Sequence, residues 1–251
     1  ELEFDPVRGI NPDTIHVDGD VYAIAYSGPD YDGFLKTVSI SSDGSIGAVI
    51  DTLEFDPVLC HETDIIHVAG DVYAIAYRGP DQHGFLKTVS ISSAGSIGAV
   101  IATLEFDPFS CTNPHIIHVA GDGYAIAYQG LGSDGWLNTV SISDDGSIGA
   151  VIATLEFDPV YASGPHIIHM SGDVYAIAYS GPDSDGWLKT IEIIIPPTVT
   201  TDPATDLGAV AATLNGTLDN DAGEACDCGF EWGLDTGYGT ITSTESRTTG
   251  R

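Results

Sequence analysis

The string Ile-Ile-His-Val-Ala-Gly-Asp-Val-Tyr-Ala-Ile-Ala-Tyr, residues 65–77, returns almost letter for letter at 14–26, 116–128 and 167–179. The copies stand 51 residues apart, as the equivalent His16, His67, His118 and His169 show. A fixed period of this length restricts the chain to an array of like units, none of which can bury its apolar surface alone.

Within one unit, Leu53 to Thr103, four strands are predicted, at 65–68, 72–77, 85–91 and 97 to about 106. Ala69-Gly70-Asp71 marks a tight hairpin, and residues 79–84 a longer loop. Ser42-Asp43-Gly44-Ser45 and its counterparts mark a third turn, where Asp-Gly suits a type I′ hairpin. Val72–Tyr77 is apolar on both faces, as a strand between two neighbouring sheets must be. Four antiparallel strands in a unit of this length is the pattern of a β-propeller blade. The small Ala74 and Ala76 would let blades approach closely, with Tyr73 and Tyr77 filling wider spaces. An open β-solenoid is the competing architecture, but its coils are shorter and carry fewer hairpin turns.

The expected fold is therefore all-β: a propeller over residues 1–195, with units at about 2–52, 53–103, 104–154 and 155–195. The last unit lacks its fourth strand, because Pro196-Pro197 ends strand pairing. Residues 2–5 repeat the words that close the other units, so they are expected to pair with blade four and close the ring.

From residue 196 the composition changes to threonine-rich alternation. Thr198-Val-Thr-Thr201, Ala212-Thr-Leu-Asn-Gly-Thr217 and Gly229-Phe-Glu-Trp-Gly-Leu-Asp-Thr-Gly-Tyr238 resemble the first half of a fibronectin type III-like module of prokaryotic secreted and surface proteins. Such a module needs roughly 90–100 residues and seven strands, so residues 196–251 would form an incomplete β-sandwich. The Val-Tyr-Ala-Ile-Ala-Tyr strands resemble those of bacterial and archaeal repeat propellers, a likeness that implies a fold and no activity. Residue 1 is Glu, and both ends read as cut from a longer modular protein.

Charge limits the partners. With 37 acidic and 7 basic residues, net −30, the surface repels nucleic-acid phosphates and anionic lipid headgroups. No run of 18 apolar residues is present, so no membrane insertion is expected. Such a surface suits an extracellular or cell-surface protein, with a protein or glycan as partner and self-assembly as a further mode. Four cysteines, none at zinc-ligand spacing, leave the redox compartment open.

Candidate sites are few. The loops Pro29-Asp30-Tyr31-Asp32-Gly33 and Pro182-Asp183-Ser184-Asp185-Gly186 carry an Asp-x-Asp-Gly pattern that could ligate Ca²⁺ through Asp30, Asp32, Asp183 and Asp185. Asp and Gly are also ordinary turn residues, and two copies lack the pair. Phe34, Phe85, Trp136 and Trp187 follow these loops and could stack on a sugar, or simply pack on their own blades. The four equivalent histidines could meet a transition metal, or be structural. Position 13 of the unit is mixed, Asp13 and Asp64 against His115 and His166, which argues against a strict ligand set. The pair Glu54 and Asp56 is identical in every repeat, and a catalytic site is normally single and asymmetric. No catalytic residue or cofactor other than calcium is therefore expected. The reading is a non-enzymatic extracellular structural or adhesive protein. Its alternatives are a lectin-like or calcium-dependent propeller and a virion or phage-tail appendage.

Overall fold

Each of the first three repeats forms an antiparallel sheet whose strands pair in chain order. Blade one holds β1 (Ile10–Asp18), β2 (Val21–Ser27), β3 (Gly33–Ile40) and β4 (Ile46–Asp56). Blade two holds β5 (His61–Ala69), β6 (Val72–Arg78), β7 (Gly84–Ile91) and β8 (Ile97–Asp107). Blade three holds β9 (Thr112–Ala120), β10 (Gly123–Gln129), β11 (Gly135–Ile142) and β12 (Ile148–Asp158). Blade four has three strands, β13 (Ser163–Ser171), β14 (Val174–Ser180) and β15 (Gly186–Glu192). The computed structural model describes residues 1–206, 213–220, 225–232 and 240–248. It divides into a unit of Glu1–His118 with Tyr124–Ile193, and a second of Val119–Gly123 with Ile194–Arg251.

The predicted strands are present, and the first strand of each blade starts earlier than the alternation suggested. The cause is a bulge. Asn11, Glu62, Asn113 and Gly164 are left-handed (φ 49°, 55°, 48° and 56°), and the ladder shifts register between residues such as His61 and Asp64. The turn before the fourth strand also differs from expectation. Only its glycine is left-handed (Gly44, φ 84°), while Ser41 N–H donates to Ser45 O. It is a longer loop ending in a left-handed glycine rather than a type I′ pair.

Interior packing follows from the two-sided strand. One face of blade one, with Ala23, Ala25 and Leu35, meets Ile65, Tyr73, Ile75 and Tyr77 of blade two. Ala74, Ala76 and Leu86 of blade two meet Ile116, Tyr124, Ile126 and Tyr128 of blade three. Small residues on one face thus leave room for the rings of the next, as expected from Ala74 and Tyr77. Polar bonds fasten the same seams: Thr37 Oγ1 donates to Gly95 O (2.5 Å) and Thr88 Oγ1 to Gly146 O (2.6 Å). Cys60 and Cys111 are fully buried thiols in a slot beside Gly33 and Gly84.

The Phe-Asp-Pro words explain the copied carboxylates. Asp56 Oδ1 accepts the N–H groups of Val58 and Leu59, while Oδ2 accepts Tyr77 Oη (2.5 Å) and Lys87 Nζ (2.9 Å). Lys87 also donates to Phe55 O. Asp5 and Asp158 repeat the arrangement with Tyr26 and Lys36, and with Tyr179 and Lys189. In blade three Asn138 stands for the lysine and donates to Phe106 O and Tyr128 Oη. Each carboxylate thereby ties the end of one blade to the strands of the next.

Residues 2–5 do not pair with blade four. Leu2 and Phe4 pack on blade one instead, where Phe4 meets Tyr26 edge-on at 5.1 Å. The ring is therefore not closed through that strand, and Leu188 is 70% exposed where Leu35 and Leu86 are at 0%.

In the second unit, β16 (Thr198–Thr205) pairs with β17 (Thr213–Asn220). Three further short strands follow in order, β18 (Cys226–Cys228), β19 (Glu231–Trp232) and β20 (Thr240–Ile241), before β21 (Glu245–Arg247). β18 pairs with β21 and β19 with β20. Ala212 and residues 233–239 of the fibronectin-like words lie outside the described residues. Asn215 donates through its side-chain amide to Pro203 O.

The carboxylate ties predict a graded mutational response. Asp56→Ala strips a partner from Lys87, Tyr77 and two backbone N–H groups and should cost ~3–5 kcal/mol in urea unfolding. Lys87→Asn, which blade three already carries, should cost less than about 1.5 kcal/mol. Burial pushes the Asp158 carboxyl up, but Tyr179, the Val160 and Tyr161 N–H groups and Lys189 outweigh it and hold it at about 2. Its folded value lies below the unfolded one, so stability is present above about pH 4 and falls as pH drops toward 2.

Candidate functional site

The residues singled out by motif occupy turns and blade edges. Asp30 and Asp183 are the left-handed residues of one-turn 3-10 segments, Pro29–Tyr31 and Pro182–Ser184 (φ 55° and 60°). Asp81 and Gly132 adopt the same conformation in the other blades, so the turn itself asks for Asp or Gly there. Asp32 hydrogen-bonds the Glu54 carboxyl and so pushes it up. The backbone of Asp185 closes its turn by exchanging bonds with Gly181 and Pro182. Among the described residues, no group of three or more His, Cys, Asp or Glu is arranged to hold a metal ion.

Phe34 and Phe85 lie nearly parallel to Tyr26 and Tyr77 of their own blades (5.9 and 5.8 Å), and Trp136 packs on the seam between blades two and three. All three are half-buried, whereas Trp187 is exposed. Each ring covers a glycine: a Cβ on Gly28, Gly79, Gly130 or Gly181 would sit 2.2–2.4 Å from it. The four equivalent histidines are exposed hairpin residues. His16, His67 and His169 each bond through Nε2 to the carbonyl of Gly19, Gly70 or Gly172, and His118 meets Tyr124 at a steep angle as the others meet their tyrosines.

A different row brings titratable groups together. Asp13, Asp64, His115 and His166 are equivalent positions just past the bulge of β1, β5, β9 and β13, opposite Ala25, Ala76 and Ala178 in the described ladders. Asp13 Oδ2 accepts the Ile65 N–H (2.9 Å), Asp64 Oδ2 the Ile116 N–H (2.6 Å), and His115 Nδ1 the Ile167 N–H (3.4 Å). Each side chain thus reaches the next blade's first strand, and the four follow one another along the array. The rings of His115 and His166 lie 3.8 Å apart. Asp13 senses His115 two blades away, so the row converges.

Convergence without enough water separates the charges. Burial pushes the Asp64 carboxyl up, the Ile116 N–H pulls it partly back, and the adjacent, hydrogen-bonding Asp13 carboxylate pushes it up again, to about 7. Burial pulls His115 down to about 4, helped by His166 and opposed by Asp13. Asp64 is therefore the carboxyl of the row held toward its protonated form, and His115 the imidazole held toward its neutral form. With Nδ1 accepting from Ile167, the His115 proton resides on Nε2, which is left as a donor.

Around the same end of the blades the repeats differ most. The Arg8 guanidinium lies 3.5 Å from the Tyr31 ring, Tyr31 meets His61 edge-on at 5.0 Å, and Arg78 Nη2 reaches Glu62 (3.2 Å). Burial, with Arg78 and Arg8 nearby, lowers His61. Arg8 and Arg78 are the only arginines of residues 1–195. From the sequence, these variable loops read equally as a binding face or as neutral drift. The signal available was the variation of residues 58–64 and 80–84 against an otherwise copied unit.

No known protein family matches the chain, and no curated protein matches it. Solved structures match by shape. The NanB sialidase of Streptococcus pneumoniae aligns over 69% of this chain and 29% of its own, at 11% identity and a TM-score of 0.50. The Bacteroides ovatus xyloglucan PUL GH43B aligns over 76% and 40%, at 12% identity and 0.49. The periplasmic gluconolactonase PpgL of Pseudomonas aeruginosa aligns over 92% and 70%, at 12% identity and 0.47. The chain thus spans less than a third of the sialidase it resembles.

The sialidase match and the repeated four-stranded antiparallel sheets show the propeller-type all-β fold. The comparisons also correct the expectation of a non-enzymatic structural or adhesive protein, and its lectin-like and virion alternatives, because most of the propellers matched, the NanB sialidase among them, are enzymes. The physical reason lies in the row at position 13. Copying was taken to exclude an asymmetric arrangement, yet equivalent strands carry Asp, Asp, His and His at this position.

The carboxyl pair has a measurable signature. Asp64 has a folded pKa above its unfolded one, so its stabilising proton is held below about pH 4 and lost as pH rises through about 7. The Asp64→Asn variant should remove that decline, shown by thermal unfolding from pH 5 to 8. Carboxyl carbon NMR should show one member of the pair titrating near 7.

Proposed function

We propose that the protein is a hydrolase acting on a carbohydrate substrate, with the Asp13–Asp64 pair moving the proton. The observation that carries this reading is the buried Asp64 carboxyl, hydrogen-bonded to Asp13 and raised to about 7, in the same row as His115. A group with its pKa near the working pH is what general acid–base chemistry needs, and such a pair can both give and take a proton. The His115 Nε2–H, a neutral donor, suits an oxygen on which charge develops.

The pair lies within hydrogen-bonding reach, closer than the ~5–5.5 Å of retaining glycosidases or the ~6.5–9.5 Å of inverting ones. It therefore acts as one unit that activates water, rather than as two carboxylates flanking a bond. The carbohydrate assignment leans on the sialidase likeness, and Arg8 and Arg78 would steer substrate to the rim of an otherwise acidic molecule. The acidic surface favours a site of action outside the cytoplasm, and the fibronectin-like words of residues 196–251 favour a secreted modular protein of prokaryotic type. Calcium at the Asp30 and Asp183 turns, and sugar stacking on the exposed Trp187, belong to the same proposal as auxiliary contacts.

The test is a panel of chromogenic glycosides and sugar lactones assayed with the wild type, Asp13→Asn and Asp64→Asn. Turnover of at least one substrate is expected, lowered ~10²–10⁴-fold in either variant. No turnover across the panel, or turnover indifferent to Asp64→Asn, would overturn the assignment.

A further inference from the structure

Blade four presents a surface that every other blade covers. Ile168, Met170 and Leu188 are 49%, 56% and 70% exposed, and Ala178 is exposed as well. The equivalents of Leu188 are at 0%, 0% and 3% (Leu35, Leu86 and Leu137), and Ala25, Ala76 and Ala127 are fully buried. β15 is also an edge. In blades one to three the third strand pairs with a fourth, setting Leu35 opposite Leu53, Leu86 opposite Leu104 and Leu137 opposite Leu155. Among the described residues, β15 pairs with β14 alone.

The internal seams show what such a face takes. It receives the aromatic face of a following blade together with the Leu-Glu-Phe-Asp end of its own fourth strand. Blade one carries both parts. Tyr22, Ile24, Tyr26 and Val38 form the aromatic face, and Leu2 and Phe4 are already seated on it. Phe4 meets Tyr26 as Phe55 meets Tyr77, both edge-on. Asp5 is held by Tyr26 and Lys36 as Asp56 is by Tyr77 and Lys87. Leu2–Asp5 thus take, on blade one, the place that the end of a fourth strand takes on blade two. Blade four offers a third strand without a fourth.

We propose that blade four binds blade one of a second copy of this chain, head to tail. Leu2 of one copy faces Leu188 of the other, and β15 gains the strand it lacks. Within one chain the two surfaces are held apart, since Leu188 stays exposed while the three internal seams are closed. Thr14 replaces the isoleucine found at 65, 116 and 167, so this seam is less apolar than the internal ones and depends on concentration. A contact between different faces closes into a ring when the rotation completes and extends into a filament when it does not.

Light scattering after size exclusion, across an about hundredfold concentration range, tests this contact. The expected result is a mass above one 26.2 kDa chain that rises with concentration. Leu188→Glu, a change on an exposed side chain, should return it to one chain with unaltered circular dichroism. In a Cys226→Ser, Cys228→Ser background, Leu2→Cys and Leu188→Cys chains should form a disulfide when mixed, and neither should do so alone. A single-chain mass throughout, or an oligomer that survives Leu188→Glu and gives no mixed disulfide, overturns the proposal.

Discussion

The structure depends on the fact that a blade cannot bury either of its faces by itself. Val72–Tyr77 is the barest statement of this constraint, since its alanines and tyrosines are both fully enclosed, each set by a different neighbour. Order in the array therefore propagates by contact, and each seam is won between sheets rather than within them. The carboxylate at positions 5, 56, 107 and 158 then fixes how one blade hands the chain to the next. Apolar packing supplies the cohesion, and that single polar knot supplies the angle of entry.

Against this uniform frame the chemistry is uneven, and unevenness marks the site. The copied residues, His67, Asp56 and Tyr77 among them, all have local structural partners. The residues that change between copies, Arg8, Tyr31, His61, Arg78 and the Asp/His row, gather at one end of the blades. Repetition gives stability to the framework, and departure from repetition gives the site its single set of charges.

The sequence disclosed the strands and the blades because alternation and period are local properties. Val72–Tyr77 announces two buried faces without reference to anything distant. The bulges at Asn11 and Glu62 left no such trace, since Glu is not a usual left-handed residue and a lone Asn also suits many turns. The row of Asp13, Asp64, His115 and His166 was visible as a column of mixed letters. Its meaning was hidden, because the raised Asp64 carboxyl depends on burial and on Asp13, 51 residues away. Closure of the ring was misjudged for a related reason: residues 2–5 have the right letters to pair with blade four, but their aromatic ring already has a seat on blade one.

The bulge has an effect on what the inner strand can become. An extra residue at Glu62 pins the register of β5 from outside, so the ladder does not rely on the side chain at position 64 to stay aligned. A slip by one would turn that position to the opposite face, and the bulge prevents it whatever the residue is. Carboxyl and imidazole have accordingly been exchanged at one address on four strands with the same backbone. The fold behaves there like a socket that accepts different tools, so new chemistry at the centre can be introduced without renegotiating the sheet.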